Sequence, residues 1–289
     1  MGRIFDADFF SKMNTLKLKT SLVLSAGMGG PRKSSAKGSS VEFSDFREYM
    51  LGDDIRRIDW NAYGRMNRLF IKQFMEEKEG IFRIFVDCSE SMAYGEKKKS
   101  EHALKIAGAI SYLALNNLDR VYVTTVNGEQ TKVSKGMVGR QAFMKLAMEL
   151  ENTIVNGGTD LGKTILSTPF SQKGTVILIS DFFDQKELEQ ALRYLAYSKQ
   201  EIIVIQILAR EELNPQLDGT LSLIDMESKG EMKITMTGKV MKTYEETLTS
   251  FITEIMERTK HYQGTYLLSP SDQSLDAFLY ECMKHGKVV

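Results

Sequence analysis

IFRIFVDCSES, the stretch from Ile81 to Ser91, decides how this chain is read. Ile81 to Val86 is an apolar run broken only by Arg83, and it ends on Asp87 with the pattern D-x-S-x-S. A short apolar run of this kind reads as a strand covered on both faces. After it, Lys97 to Leu118 reads as a helix, with Ala103, Ile106, Ala107, Ile110, Leu113 and Ala114 on one face. Asp119 and Arg120 turn into a second strand, Val121 to Val126, and Gly139 to Leu150 reads as another helix.

The same alternation continues. The glycine turn NGGTD, Asn156 to Asp160, leads into a short helix and then the strand TVILIS, Thr175 to Ser180. Gln185 to Tyr197 reads as a helix and Glu201 to Leu208 as a β-branched buried strand. A hairpin is expected at about 213–240, from Leu221 to Met226 and Glu231 to Met236 around SKG. A long helix from about Val240 to Arg258, a strand at Gly264 to Leu268 and a helix from Ser274 to Lys284 close the chain. Strands alternating with helices predict an α/β fold, a doubly wound and mainly parallel sheet flanked by helices. The expected strand order is 3-2-1-4-5-6.

Before Ile81 the pattern differs. Phe5, Phe9, Met13 and Leu16 recur at helical spacing, and the Gly- and Ser-rich segment Gly27 to Ser40 reads as a flexible linker, so residues 1–40 form a helix and linker. Residues 41–80 are charged and aromatic, with the run GDDIRRIDW at Gly52 to Trp60. That run is expected to form an internal ion-pair network over a packed Trp60, with an interaction surface as the alternative. Residues 41–80 and the later hairpin are expected to make a small β module beside the main domain, residues 81–289.

Five residues carry the chemistry: Asp87, Ser89, Ser91, Thr159 and Asp181. Asp87 and Asp181 end two central strands, and Thr159 sits in the glycine turn. In a doubly wound sheet the carboxyl ends of such strands open on one crevice. Carboxylates and hydroxyls are hard oxygen donors, suited to Mg²⁺, Mn²⁺ or Ca²⁺. Two carboxylates and three neutral hydroxyls neutralise a divalent ion without saturating it. One coordination position stays open for an outside oxygen, ideally a carboxylate. Asp184, three residues after Asp181, is expected to cap the next helix instead. Cys88 alternates with the ligands and should face the core, and His102 reads as an ordinary helix residue.

This pattern resembles the metal-ion-dependent adhesion site of von Willebrand factor A domains. That resemblance implies direct ligation by Ser89, Ser91 and Thr159, with Asp87 and Asp181 holding the ion largely through water. From about Val41 onward the chain resembles the bacterial domain-of-unknown-function 58 family. The residues that carry this are REYMLGDDIRRIDWNAYGR at Arg47 to Arg65, DCSESM, NGGTDL, ISDFFD and DMESKGE. Members of that family are often encoded beside MoxR-type AAA+ ATPases, which implies an adaptor partnership with such an ATPase.

Formal net charge is +0, from 38 basic and 38 acidic residues, so neither a nucleic-acid footprint nor a polybasic membrane anchor is expected. No apolar stretch approaches the roughly 20 residues of a membrane span. The start, MGRIFDADFF, places acids where a signal peptide carries bases. Only two cysteines occur, far apart, so a cytoplasmic protein without disulfides is expected. The expected function is a metal-dependent protein-binding module, not an enzyme. The alternatives are a Mg²⁺-dependent phosphohydrolase, in which Asp87 would be the nucleophile but Ser89 stands where a second Asp is wanted, and a scaffold with a vestigial metal site.

Overall fold

A computed structural model describes residues 4–15, 42–75, 79–128, 130–184, 186–215, 219–224 and 231–284. They fall into two compact units, one of Met1–Lys19 with Gly80–Val289, the other of Thr20–Glu79. In chain order the elements are α1 (residues 7–15), β1 (Glu42–Glu48), α2 (Trp60–Met66), β2 (Phe70–Met75), β3 (Ile81–Asp87), α3 (Lys99–Asn116), β4 (Arg120–Asn127), β5 (Gln130–Val133), α4 (Ala142–Glu151) and α5 (Leu161–Leu166). Then come β6 (Thr175–Ser180), α6 (Leu188–Tyr197), β7 (Glu201–Leu208), α7 (Arg210–Leu213), β8 (Gly219–Ile224), β9 (Glu231–Met236), α8 (Gly238–His261), β10 (Thr265–Pro270) and α9 (Leu275–Lys284).

The larger unit is built on a six-stranded sheet of order β10-β7-β6-β3-β4-β5. Read from the β5 edge and numbered among the sheet's own strands, this is 3-2-1-4-5-6, as expected. Five strands are parallel, and β5 runs antiparallel to β4 at the edge. The apolar runs are continuous because both faces of each central strand are covered. Side chains alternate between the faces. Ile84 and Val86 of β3, Ile177 and Ile179 of β6, and Ile203 and Ile205 of β7 join α3, α4 and α9 in one core. Phe85, Leu178 and Val204 point the other way, into a second core with α5, α6 and Ile255 of α8. Each fully buried aliphatic side chain contributes about 1.5–3 kcal/mol relative to exposure.

Helix α1 belongs to this unit. Phe5, Phe9 and Met13 are buried in the first core, where Phe143 of α4 meets the rings of Phe5, Phe9, Phe10 and Tyr112. Leu16, the fourth residue of the helical pattern, and the linker 27–40 lie outside the described residues. Gly108 of α3 permits the docking: a Cβ there would come within 2.2 Å of the Phe5 ring. Gly108→Val is therefore expected to cost about 1–3 kcal/mol through overpacking. The check is a thermal melt combined with limited proteolysis after residue 15, which should speed up as α1 loses its seat.

In the smaller unit, β1 and β2 pair antiparallel, with an irregularity between Phe43 and Asp45. The run GDDIRRIDW is explained by local bonding. Arg47 donates to both oxygens of Asp53 at 2.8 and 2.9 Å, Arg56 pairs with Asp54, and Asp59 caps α2 by accepting from Asn61 N and Ala62 N. Trp60 does not pack beneath this network. It is 65% exposed, its ring edge-on to Tyr63, because it holds the first position of a helix whose one buried residue is Ala62. Each segment of the expected β module forms its own two-stranded antiparallel sheet, β1–β2 in this unit and β8–β9 in the larger one.

Candidate metal centre

Strand β3 ends on Asp87, which is fully buried. Its Oδ1 accepts from the backbone N–H of Ser89 at 2.9 Å, and its Oδ2 accepts from the Ser180 hydroxyl at 2.6 Å. The first bond turns the chain tightly after the strand. The second ties β3 to the end of β6, the neighbouring strand. Ser180 was not among the sequence candidates. As the last residue of an otherwise apolar strand it looked like a terminus, and only the β3–β6 register aims it at Asp87.

Beyond the turn, the hydroxyls of Ser89 and Ser91 stand 3.1 Å apart, and Ser91 donates to Asp181 Oδ2 at 2.9 Å. Asp181 follows β6 directly. Its Oδ1 accepts from Phe183 N at 3.1 Å, and its backbone carbonyl accepts from the Gln206 side chain of β7 at 3.0 Å. Asp87, Ser89, Ser91 and Asp181 thus form one connected cluster at the carboxyl end of the sheet. Asp184 stays outside it, accepting from the backbone and side chain of Lys186.

The fifth candidate arrives on a separate loop. Glu90 N donates to Gly157 O at 2.7 Å and Asn156 N to Cys88 O at 3.1 Å, which lashes the glycine turn to the D-x-S-x-S loop. Gly157 has a φ of +69°, and a Cβ there would lie 3.3 Å from Gly128 Cα, so conformation and close approach both demand glycine. The Thr159 hydroxyl is buried and makes no hydrogen bond. A buried hydroxyl without a partner costs about 1–3 kcal/mol, so native proteins rarely keep one without use.

The electrostatics point the same way. Burial, then the neighbouring Asp181, push the Asp87 carboxyl up to about 6. Both penalties fall on the charged form and both are relieved by a cation. Neighbouring ligands of an octahedral ion bound at about 2.1 Å lie about 3.0 Å apart. The Ser89–Ser91 spacing of 3.1 Å matches that separation. Among the described residues no group of three or more His, Cys, Asp or Glu is placed to hold a metal, so an ion here would rely on hydroxyl oxygens. The donor set fits Mg²⁺, Mn²⁺ or Ca²⁺ and suits zinc or copper poorly.

Two further groups complete the surroundings, and neither was singled out in the sequence. Lys99, at the start of α3, is fully buried and donates to Asp181 Oδ2 at 2.8 Å and to Glu212 Oε1 at 2.7 Å. It is one of three successive lysines, Lys97 to Lys99, a run that ordinarily reads as a solvated face. Glu212 belongs to the single-turn helix α7 and also accepts from Ala209 N at 2.6 Å, while burial pushes its carboxyl up.

Cys88 faces the core as expected and is fully buried; burial pushes its thiol up. His102 is more than an ordinary helix residue. It is buried, its Nε2 lies 2.8 Å from the Ser269 hydroxyl of β10, and burial pushes its imidazole down to about 4. The unfolded chain therefore binds a proton at His102 near pH 6.5 while the folded one waits until about 4. Stability should fall by about 2–3 kcal/mol through this group as pH drops across that window. His102→Gln, which keeps a polar partner for Ser269, should remove that part of the slope in denaturant titrations at pH 7 and pH 4.

The family model described as a protein of unknown function, DUF58, matches residues 45–250. The chain belongs to the DUF58 family. An uncharacterized protein of Mycobacterium tuberculosis is 26% identical over 234 residues, covering 78% of this chain and 74% of the relative. Among solved structures, the protein is similar to BatB from Bacteroides thetaiotaomicron, with a TM-score of 0.44 at 16% identity over 72% of this chain and 98% of that one. It is also similar to the SpRpn10 VWA domain, with a TM-score of 0.42 at 12% identity over 73% and 97% of the two chains. The sheet of this DUF58 protein has the doubly wound order 3-2-1-4-5-6 with an antiparallel edge strand. No helix among the described residues is long and apolar enough to cross a membrane.

Proposed function

We propose that this protein is a metal-dependent protein-interaction module. Ser89, Ser91 and Thr159 hold a divalent ion directly, with Mg²⁺ the best fit and Mn²⁺ or Ca²⁺ the alternatives. Asp87 and Asp181 hold it largely through water. When bound, the ion supplies a Lewis-acidic position to which a partner's Asp or Glu side chain can bind. The chain's own residues fix the donors through the hydrogen bonds that join the two loops. The observation that carries the reading is the buried, unpartnered Thr159 hydroxyl, on a loop bonded to the D-x-S-x-S loop in which the Ser89 and Ser91 hydroxyls stand 3.1 Å apart.

An enzymatic role is not favoured. Asp87 is fully buried, and both its oxygens are engaged by Ser89 N and Ser180, so it is poorly placed as a nucleophile. Cys88 points into the core, and His102 is held by Ser269 away from acid–base work. The partner proposed is a MoxR-type AAA+ ATPase, with the module acting as its adaptor in assembling or remodelling a client complex. A single metal–carboxylate bond gives modest affinity, so surrounding surface must supply the rest. The test is capture of the cognate ATPase by this protein in Mg²⁺. Capture lost in EDTA and restored by excess Mg²⁺ supports the proposal; capture indifferent to EDTA overturns the metal-dependent step.

A further inference from the structure

The ammonium of Lys99 is a cation already present at the proposed metal centre, and no part of metal ligation explains it. Its side chain has 0% relative exposure, and it is roofed by the Phe183 ring at 4.7 Å and flanked by the Tyr94 ring at 5.9 Å. Phe183 is braced by stacking on Phe251 of α8 at 5.4 Å. The ammonium binds Asp181 Oδ2, the same oxygen that receives the Ser91 hydroxyl. Its second anchor, Glu212, is held from behind by Ala209 N, and the Glu212 carbonyl accepts from Tyr244 of α8 at 2.8 Å. One oxygen of Asp181 is thus shared between the ligand loop and a tethered positive charge, and that charge has a second carboxylate to lean on.

We infer that Lys99 is a tethered monovalent counter-ion that competes with the divalent ion for Asp181, and that its pairing with Glu212 sets how tightly the site holds that ion. The inference rests on the metal reading above. The charges give its logic. Asp87, Asp181 and Glu212 carry three negative charges and Lys99 one positive, leaving the net of two that a divalent ion neutralises. Removing the Glu212 charge leaves Lys99 with Asp181 as its one carboxylate partner, so the ammonium draws closer to the ligand and the net falls to one. Removing both charges of the pair restores the net of two and frees Asp181 of the ammonium. Charges a few ångströms apart in a buried site interact strongly enough for either change to reach about tenfold in affinity.

The experiment titrates Mn²⁺ into the full chain, with free ion read by electron paramagnetic resonance and heat by calorimetry. Glu212→Gln is expected to bind Mn²⁺ about tenfold more weakly than the unmodified protein. The double variant Lys99→Met with Glu212→Gln is expected to bind about tenfold more tightly. A pair that merely supports the fold would weaken binding in both variants, so the opposite signs are the signature. Equal affinities across all three proteins, or weaker binding by the double variant, would overturn the role of Lys99 while leaving the metal site standing. Failure of the unmodified protein to bind Mn²⁺ would instead sink the metal reading itself. If the double variant does not fold, unchanged affinity in Glu212→Gln alone overturns the inference.

Discussion

Ser89→Ala is expected to lower divalent-ion affinity by at least about a hundredfold while costing the metal-free fold about 2 kcal/mol. The two halves of that expectation have separate causes. The hydroxyl of Ser89 lies 3.1 Å from that of Ser91 and also hydrogen-bonds the Asp87 carboxylate, so its loss removes two hydrogen bonds worth about 1 kcal/mol each. The tight turn survives, because it is the backbone N–H of Ser89 that binds Asp87. Loss of an outer partner of a metal ligand already costs about 10–100-fold, and a direct ligand should cost at least the upper end. A metal that binds only the folded state stabilises it by about 2.7 kcal/mol at a hundred times its dissociation constant. Thermal melts with and without Mg²⁺ should therefore separate clearly for the unmodified protein and coincide for Ser89→Ala. Equal Mg²⁺ shifts in the two proteins would remove Ser89 from the ligand set.

Phe143→Ala should cost about 3–5 kcal/mol, the usual penalty for deleting a buried aromatic ring. Phe143 is 1% exposed and is the ring on which the N-terminal helix converges. It stacks on Phe9 at 6.1 Å with an interplanar angle of 4°, and stands edge-on to Phe5, Phe10 and Tyr112 at 5.8, 5.9 and 5.0 Å. Its loss opens a cavity between α1, α3 and α4 and deletes four ring contacts at once. In a unit of this size the melting temperature should fall by about 10 °C. A loss below about 1 kcal/mol would mean that α1 is not seated there, and residues 1–19 would no longer count as part of the larger unit.

How much of this was legible in the sequence depended on burial. β3, β6 and β7 announced themselves because strands covered on both faces must be continuously apolar. β5 did not: QTKV, Gln130 to Val133, is an edge strand whose Val133 is 60% exposed, and nothing in four mixed residues separates it from a loop. Strands β1 and β2 were hidden for a related reason. They form a two-stranded sheet in which Glu42, Asp45, Arg47 and Glu48 make β1 rich in charge, and the pairing is irregular between Phe43 and Asp45. For the site, the D-x-S-x-S loop, the glycine turn and the strand-terminal Asp181 were readable because each sits where topology sends strand ends. Ser180, Lys99 and Glu212 were not, since their meaning comes from registers and contacts between segments up to 113 residues apart. A lysine in a run of three gives no local sign that one of them is fully buried against two carboxylates.

Anomalous scattering from a crystal soaked in Mn²⁺ tests the central claim most directly. The account predicts one strong peak at the carboxyl end of β3 and β6, within about 2.0–2.3 Å of the Ser89, Ser91 and Thr159 hydroxyl oxygens. The absence of a peak there in a fully soaked crystal, or a peak that leaves the Thr159 hydroxyl unligated, would contradict it.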